Sequence, residues 1–377
     1  MGAKELPRRE DLLDYNHAVA GHAGTLCDAD GELFIKPCTE AEIEFYESAN
    51  RRHAEFAEIM PLYMGALSLS DPLDGGIDEA VAGLIAEDGT LQTTKEQIVA
   101  SVTEQITNTK SEPRSLDNAT WEPSRGKKIK TNKAVVLENA SHGYKRANIL
   151  DVKLGVRLWA DDAPQQKIDR FNKISAETTH GSLGFRIAGM RVFRGSDDSS
   201  ELDDEEYKIY DKDYGRVCVN DTNVVQEFRR FIFNKAAGID EELGKAVCAA
   251  FAQDLARVRE VMSKHESRMF STSLLFVFEG DGEALREAIE ENNSYVETAT
   301  ARASCELTTK RTDSGICLTD DEHDDDELDT LGAALPKIYS LKLIDFAHAA
   351  WKPGAGPDRN ILKGVESLEH IFQTMAQ

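Results

Sequence analysis

The chain has 377 residues, 41% of them hydrophobic and 30% charged, with a formal net charge of −24; this suits a soluble protein with a sizeable core and excludes collagen-like, coiled-coil and wholly disordered classes. No apolar run approaches the ~20 residues that cross a bilayer. The opening MGAKELPRREDLLDYNHAVAG lacks the apolar stretch of a signal peptide, and Leu6 stands where a myristoylation motif wants Ser or Thr. The acid is concentrated in DDSSELDDEE at 197–206 and DDEHDDDELD at 320–329, and no broad basic surface for direct nucleic acid binding is expected. The cysteines, Cys27, Cys38, Cys218, Cys248, Cys305 and Cys317, form no C-x-x-C pair. They read as reduced thiols in a nuclear and cytoplasmic protein rather than as a zinc site or a secreted disulfide framework.

In chain order, VAGHAGTL and ELFIK within residues 18–36 predict two short strands joined by a turn at Asp28–Gly31. Thr39 and Glu42 form a T-x-x-E capping box that predicts a helix with Ile43, Phe45 and Tyr46 on its apolar side. Residues 61–66 suit another strand. About 68–130 is polar and poor in pattern, and reads as a surface insertion with helical character around 78–106. Strands are predicted at Ala134–Leu137, Asn148–Leu154, 185–193, Ser273–Phe278 and Ile338–Phe346. Helices are predicted at Pro164–Ala176, 221–236, 240–264 and 360–375, and a second irregular insertion at about 281–334. The expected architecture is α+β. A small N-terminal lobe covers residues 1–137, a hinge lies near 138–140, and a larger lobe covers 138–377.

G-x-x-x-x-G-K-[ST], G-x-G-x-x-G, H-R-D, H-E-x-x-H and G-x-S-x-G are all absent. What remains is a set of polar residues inside apolar strands. Asp151 and Lys153 are two apart on one strand and share a face, a pattern that leaves a structural ion pair and a catalytic pair both open. Asp345 ends an apolar strand, where it is suited either to holding magnesium or to capping a turn. Lys36 ends a strand six residues before Glu42, a layout that permits the lysine–glutamate pair by which kinases set a phosphate-binding lysine. Lys167, Arg170 and Lys173, spaced three apart, share one helix side, as a solvated basic face or as a polyanion cradle. A global charge of −24 does not forbid an anionic ligand, because a site is decided by local charge.

Taken together, these segments resemble the inositol polyphosphate kinase family. DVKLG at 151–155 is similar to the core of the P-x-x-x-D-x-K-x-G signature. VAGH at 19–22, KPCTEAEIEFY at 36–46, VVLEN at 135–139, SAETTHGSLGFRIAGMRVF at 175–193, TSLL at 272–275 and IDFAH at 344–348 resemble further family segments in family order. Ala147 replaces the signature proline and Thr272 a serine that keeps its hydroxyl. KRANILDVKLG and the acidic tract before IDFAH resemble the fungal multikinase branch most.

The resemblance implies a two-lobed kinase-like fold, related to ATP-grasp and protein-kinase folds, that uses ATP and Mg2+. It implies that Asp151 and Lys153 are catalytic and that Asp345 holds the metal. Lys36, Glu42, Glu138, Ala140 and Ser273 would serve the nucleotide. Lys153, Lys167, Arg170, Lys173 and His348 would bind a soluble inositol polyphosphate. The implied activity is that of an inositol polyphosphate multikinase acting on tris- and tetrakisphosphates. A trisphosphate 3-kinase, a hexakisphosphate kinase and a scaffolding co-regulator are the alternatives. The acidic tract at 320–329 reads as a solvated insertion or a docking tract for basic nuclear proteins.

Overall fold

The computed structural model describes residues 12–15, 19, 24–69, 131–309 and 335–377. Its N-terminal half is a five-stranded antiparallel sheet. The strands are β1 (Leu13–Asp14), β2 (Leu26–Cys27), β3 (Leu33–Pro37), β4 (Tyr63–Ser68) and β5 (Lys133–Glu138), in the order β1-β2-β3-β5-β4. Alternation sorts the side chains. Leu33, Ile35, Ala134 and Val136 gather on one face with Leu26 and Leu67. Val135 and Leu137 meet helix α1 (Glu40–Arg52) through Ile43, Phe45 and Tyr46 on the other. The turn between β2 and β3 closes as the sequence suggests, with Gly31 at φ +71° and its N–H donated to the Asp28 carbonyl. A short helix, α2 (Ala54–Glu58), completes this lobe.

The C-terminal lobe holds β6 (Ala147–Leu154), β7 (Phe185–Phe193), β8 (Tyr207–Tyr210), β9 (Ser267–Met269), β10 (Ser273–Glu279), β11 (Tyr339–Ile344) and β12 (Ala349–Trp351). Its main sheet runs β11-β10-β6-β7-β8, and β9 pairs with β12. The helices are α3 (Gln165–Glu177), α4 (Thr179–Leu183), α5 (Tyr214–Val217), α6 (Val224–Ile232), α7 (Glu241–Lys264), α8 (Gly282–Thr309) and α9 (Arg359–Met375). Leu150, Val152, Leu154, Leu274, Phe276, Phe278, Leu341 and Leu343 are buried in one core with residues of α6, α7 and α9. An aromatic cluster centres it: Phe276 stacks on Phe372 at 5.2 Å and meets Phe251 edge-on at 5.1 Å. Since neighbours on a strand alternate, the opposite sheet face carries Asp151, Lys153, Ser273 and Lys342.

The lobes are joined by aromatic packing. Phe346 stacks on Phe45 at 4.9 Å and meets Tyr46 edge-on at 5.2 Å, while Trp351 stacks on Phe45 at 4.7 Å and donates Nε1–H to Ser48 at 2.7 Å. The result is a two-lobed kinase-like α+β fold.

Four local expectations change. The described part of the first expected strand is only Leu26–Cys27; residues 16–18 and 20–23 lie outside the described residues. The stretch 221–236 is divided, because Asn234 leaves the helix and accepts from the N–H groups of Ala236 and Ala237 to cap a separate turn. The capping box is only half made: Thr39 accepts from the Glu42 N–H at 3.4 Å, but the Glu42 carboxylate turns away to other partners. Finally, the insertion expected to be irregular over about 281–334 begins with helix α8. Asp281 accepts from the N–H groups of Glu283 and Ala284, Leu285 and Ala288 are buried, and the alanine- and glutamate-rich sequence favours helix without needing an apolar face. The helical expectation at 78–106 and the acidic tract at 320–329 lie outside the described residues.

Candidate active site

The centre of the site is built from three strand ends and one helix. β3 delivers Lys36 and α1 delivers Glu42, whose side chain is buried. The Lys36 ammonium donates to Glu42 at 2.8 Å and to the Asp345 carboxylate at 2.6 Å. Burial alone would lower the lysine's pKa, but Asp345 and Glu42 together raise it above its ordinary value. The same Glu42 oxygen accepts the Phe346 N–H at 3.1 Å. Glu42 therefore fixes both the lysine and the backbone that follows Asp345.

Asp345 sits just beyond β11 with φ +68°, a left-handed conformation uncommon for a residue with a Cβ. The burial of Phe346, and a bond from Thr272 Oγ1 to the Asp345 carbonyl at 3.1 Å, hold it there. Its second carboxylate oxygen lies 3.8 Å from the Lys153 ammonium. Lys153 in turn donates to the Ser271 carbonyl at 2.8 Å.

Asp151, two residues back on β6, is 5% exposed, and its Oδ1 has no hydrogen-bond partner among the described residues. Burial raises its pKa above the ordinary aspartate range, against the pull of Lys153 and Arg186. Strand pairing explains this neighbourhood. Ser273 and Arg186 pair with Lys153 from either side, so one row across β10, β6 and β7 reads Ser273, Lys153, Arg186. A bulge after Asp151 shifts the next row, where Gly189 is the partner. Ser273 is fully buried.

The acceptor-helix candidates divide. Lys167 is half-buried with its pKa lowered by burial, and His348 is lowered by burial and then by Lys167. Those two are thus electrostatic neighbours, and Lys153 also acts on His348. Arg170 is half-buried on the same helix. Lys173 is exposed and lies 3.8 Å from Glu177. At the hinge, Glu138 exchanges backbone and side-chain bonds with Leu62 and pairs with Lys342 at 3.2 Å. Ala140 packs against the small buried cluster of Ala147, Ile149 and Val277.

Other residues at the site were not singled out from sequence. Arg186 is buried within the apolar run FRIAGMRVF, and its guanidinium donates to the carbonyls of Ile187 and Lys212. Burial and Arg216 push its pKa down to about 10, so it keeps its charge at neutral pH. An arginine inside an apolar strand was the available signal. His180 is fully buried, shares a hydrogen bond through Nδ1 with the Gly155 carbonyl at 2.8 Å, and is pushed down to about 3 by burial and Arg186. Arg157 packs over Trp159 at 3.8 Å and Phe270 at 4.8 Å, beside the start of α3.

A divalent cation fits this donor set. Asp345 offers a hard oxygen carboxylate that is 27% exposed, and no group of three or more metal-ligating side chains exists among the described residues. A cation here would be held by one carboxylate together with nucleotide phosphates, as is usual for magnesium.

Residues 134–373 match the family model described as inositol polyphosphate kinase. The chain is 30% identical to the inositol polyphosphate multikinase of Saccharomyces cerevisiae, covering 94% of this chain and 96% of that one. It is 25% identical to the Schizosaccharomyces pombe multikinase, covering 94% of each. Inositol hexakisphosphate kinase 1 of Rattus norvegicus is 28% identical over 67% of this chain and 54% of its own length. The crystal structure of the S. cerevisiae inositol phosphate multikinase with ADP and Mn2+ aligns at a TM-score of 0.54 and 26% identity, covering 92% of this chain and all of that one.

Proposed function

Because this chain belongs to the inositol polyphosphate kinase family, we propose that it works as a multikinase, moving the γ-phosphoryl group of ATP to hydroxyls of inositol tris- and tetrakisphosphates. That it is an inositol polyphosphate kinase follows from the family itself; the breadth of acceptors is the proposal. The observation that carries it is the convergence of Lys36, Glu42, Asp345, Lys153 and the buried carboxylate of Asp151, with its unpartnered Oδ1, between the two lobes. Near-complete mutual coverage with the yeast multikinase supports the acceptor range, against about half the length of the hexakisphosphate kinase.

Phosphoryl transfer asks the protein for placement and for positive charge on the moving group. Asp151, whose Oδ1 has no partner among the described residues and can accept a hydrogen bond, orients the acceptor hydroxyl and takes its proton. Burial makes Asp151 a stronger base than an exposed aspartate. Lys153 lies between Asp151 and Asp345, where it stabilises charge on the transferred group. Lys36, held by Glu42, meets the ATP phosphates. Asp345 would hold Mg2+, which supplies electrophilic assistance to those phosphates. Adenine would sit at Glu138 and Ala140, with Ser273 at the cleft floor. Lys167, Arg170, Lys173 and His348 would bind the acceptor's phosphates.

The test is a magnesium–ATP assay over separate inositol bis-, tris-, tetrakis- and hexakisphosphates, with Asp151→Asn alongside. Turnover of tris- and tetrakisphosphates that disappears in the variant supports the reading. Turnover of hexakisphosphate alone moves the chain to another branch. We further infer residence in nucleus and cytoplasm, supported by free thiols at Cys27, Cys38, Cys218 and Cys248. The carboxylate density of 320–329 supports docking of basic nuclear proteins. Imaging of a fluorescent fusion and salt-sensitive capture of a basic peptide check these two points.

A further inference from the structure

The geometry points to Asn360, at the start of the C-terminal helix, as a positioning residue that sets acceptor affinity by fixing the turn between the catalytic strand and α3. This rests on the reading of α3 as the acceptor helix. After Lys153 the chain must leave the sheet, reverse and enter α3, and the turn Gly155–Arg157 does this. Its backbone has few partners in its own segment. Asn360 supplies them: its Oδ1 accepts the N–H groups of Val156 at 2.9 Å and Arg157 at 2.8 Å, and its Nδ2 donates to the Arg157 carbonyl at 2.9 Å.

The fit is close on every side. Gly155 has φ +95°, and a Cβ there would lie 2.6 Å from Asn360 Nδ2. The Gly155 N–H donates to the Gly184 carbonyl at 2.7 Å, and its own carbonyl shares a bond with His180. Asn360 is itself set by the buried Asp358. One oxygen of Asp358 accepts the Asn360 N–H at 3.1 Å, and the other accepts the Met269 N–H at 2.8 Å. Met269 ends β9, two residues before Ser271. Ser271 holds Lys153 through its carbonyl and the Leu158 carbonyl through its hydroxyl. One short segment of the C-terminal helix thus ties the anchor of Lys153 to the turn that aims Lys167. The nucleotide-side partners of Lys36 and Glu42 belong to other segments, β3, α1 and the end of β11. Loss of the Asn360 bonds should therefore appear in acceptor KM and leave ATP KM alone.

The experiment compares Asn360→Leu, which keeps the shape and removes all three bonds, Asn360→Asp, which keeps the two accepted bonds, and Lys167→Ala, each in the full chain. We expect Asn360→Leu to raise acceptor KM by about tenfold with ATP KM unchanged within about twofold, and Asn360→Asp to raise it by about threefold. Amide exchange at Val156 and Arg157 should speed up in the leucine variant. Acceptor KM unchanged in folded Asn360→Leu, or both KM values rising together, overturns the inference. If the leucine variant does not fold, the aspartate variant decides: a wild-type acceptor KM in it overturns the inference. An unaltered acceptor KM in Lys167→Ala instead removes the acceptor-helix reading beneath it.

Discussion

Replacing Asp151 by asparagine should cut turnover severely and at the same time stabilise the protein at neutral pH. The carboxylate is 5% exposed, and one of its oxygens has no hydrogen-bond partner among the described residues. Burial raises its pKa despite Lys153 and Arg186. A carboxyl whose folded value exceeds its unfolded value carries no penalty below the unfolded value, where both states are protonated. As pH rises through the raised folded value, the native state must hold a charge that the unfolded chain holds more easily, and stability is lost. Each unit by which the pKa is raised, with the pull of Lys153 already included, sets about 1.4 kcal/mol against the charged native state, a cost that a neutral amide in the same place does not carry. The Asp151→Asn protein should therefore gain roughly 1 kcal/mol at pH 7.5, or about 1–2 °C in Tm for a chain of 377 residues. The gain should vanish in acid, below the ordinary aspartate range. Turnover should fall by about 10²–10⁴ through loss of the base. Thermal melts of both proteins at pH steps between about 4 and 8, with single-turnover kinetics, measure both sides. A variant that is less stable than wild type at pH 7.5 would show that the Lys153 ion pair outweighs desolvation, and would refute the account of Asp151 as a strained functional group.

Glu42→Ala should cost about 3–5 kcal/mol in denaturant unfolding and raise ATP KM, because it strips one buried partner from Lys36 and leaves the Phe346 N–H unpaired; Glu42→Gln, which can still accept from Phe346, should cost less. His180 is pushed from 6.5 down to about 3, so its contribution to stability is present above the ordinary histidine value and is lost as pH falls toward the folded one. The unfolding free energy from denaturant titrations should decline across that window by up to about 1.4 kcal/mol per pH unit, and His180→Asn should flatten the decline. Gly155→Ala, at φ +95° and 2.6 Å from Asn360, should lower stability by about 1–3 kcal/mol, read as a fall in Tm.

The sheet of the larger lobe was legible because its strands are apolar runs, and the polar residues inside them stood out for that reason. Asp151, Lys153 and Asp345 were found this way, and the structure brings them together within one cluster. Tertiary partners were not legible. The Lys36–Glu42 pair is the exception, expected from the spacing and present at 2.8 Å; that the same carboxylate oxygen also takes the Phe346 N–H, 304 residues away in sequence, has no local signal. Asn360 carries no local signal, since its role depends on a turn 203 residues earlier. Helix α8 was missed for a different reason. Its first turns bury only Leu285 and Ala288, too few apolar positions for periodicity to detect over so long a run, and its alanines and glutamates favour helix intrinsically.

The charge of −24 and a polyanionic acceptor are reconciled by where the charges lie. At physiological ionic strength fields decay over about 8 Å, so carboxylates on distant surfaces hardly act on the cleft. Within it, two of the carboxylates are matched: Glu42 and one oxygen of Asp345 are taken by Lys36, and the other oxygen faces Lys153; burial raises the pKa of the third, Asp151, which weakens its hold on a negative charge. Arg186 adds a buried positive charge one strand away, and Lys167 adds a half-buried one from α3. Desolvation strengthens each of these interactions relative to an exposed lysine. A few buried cations set by strand register therefore decide what the cleft binds, while the bulk acid sets solubility and encounter.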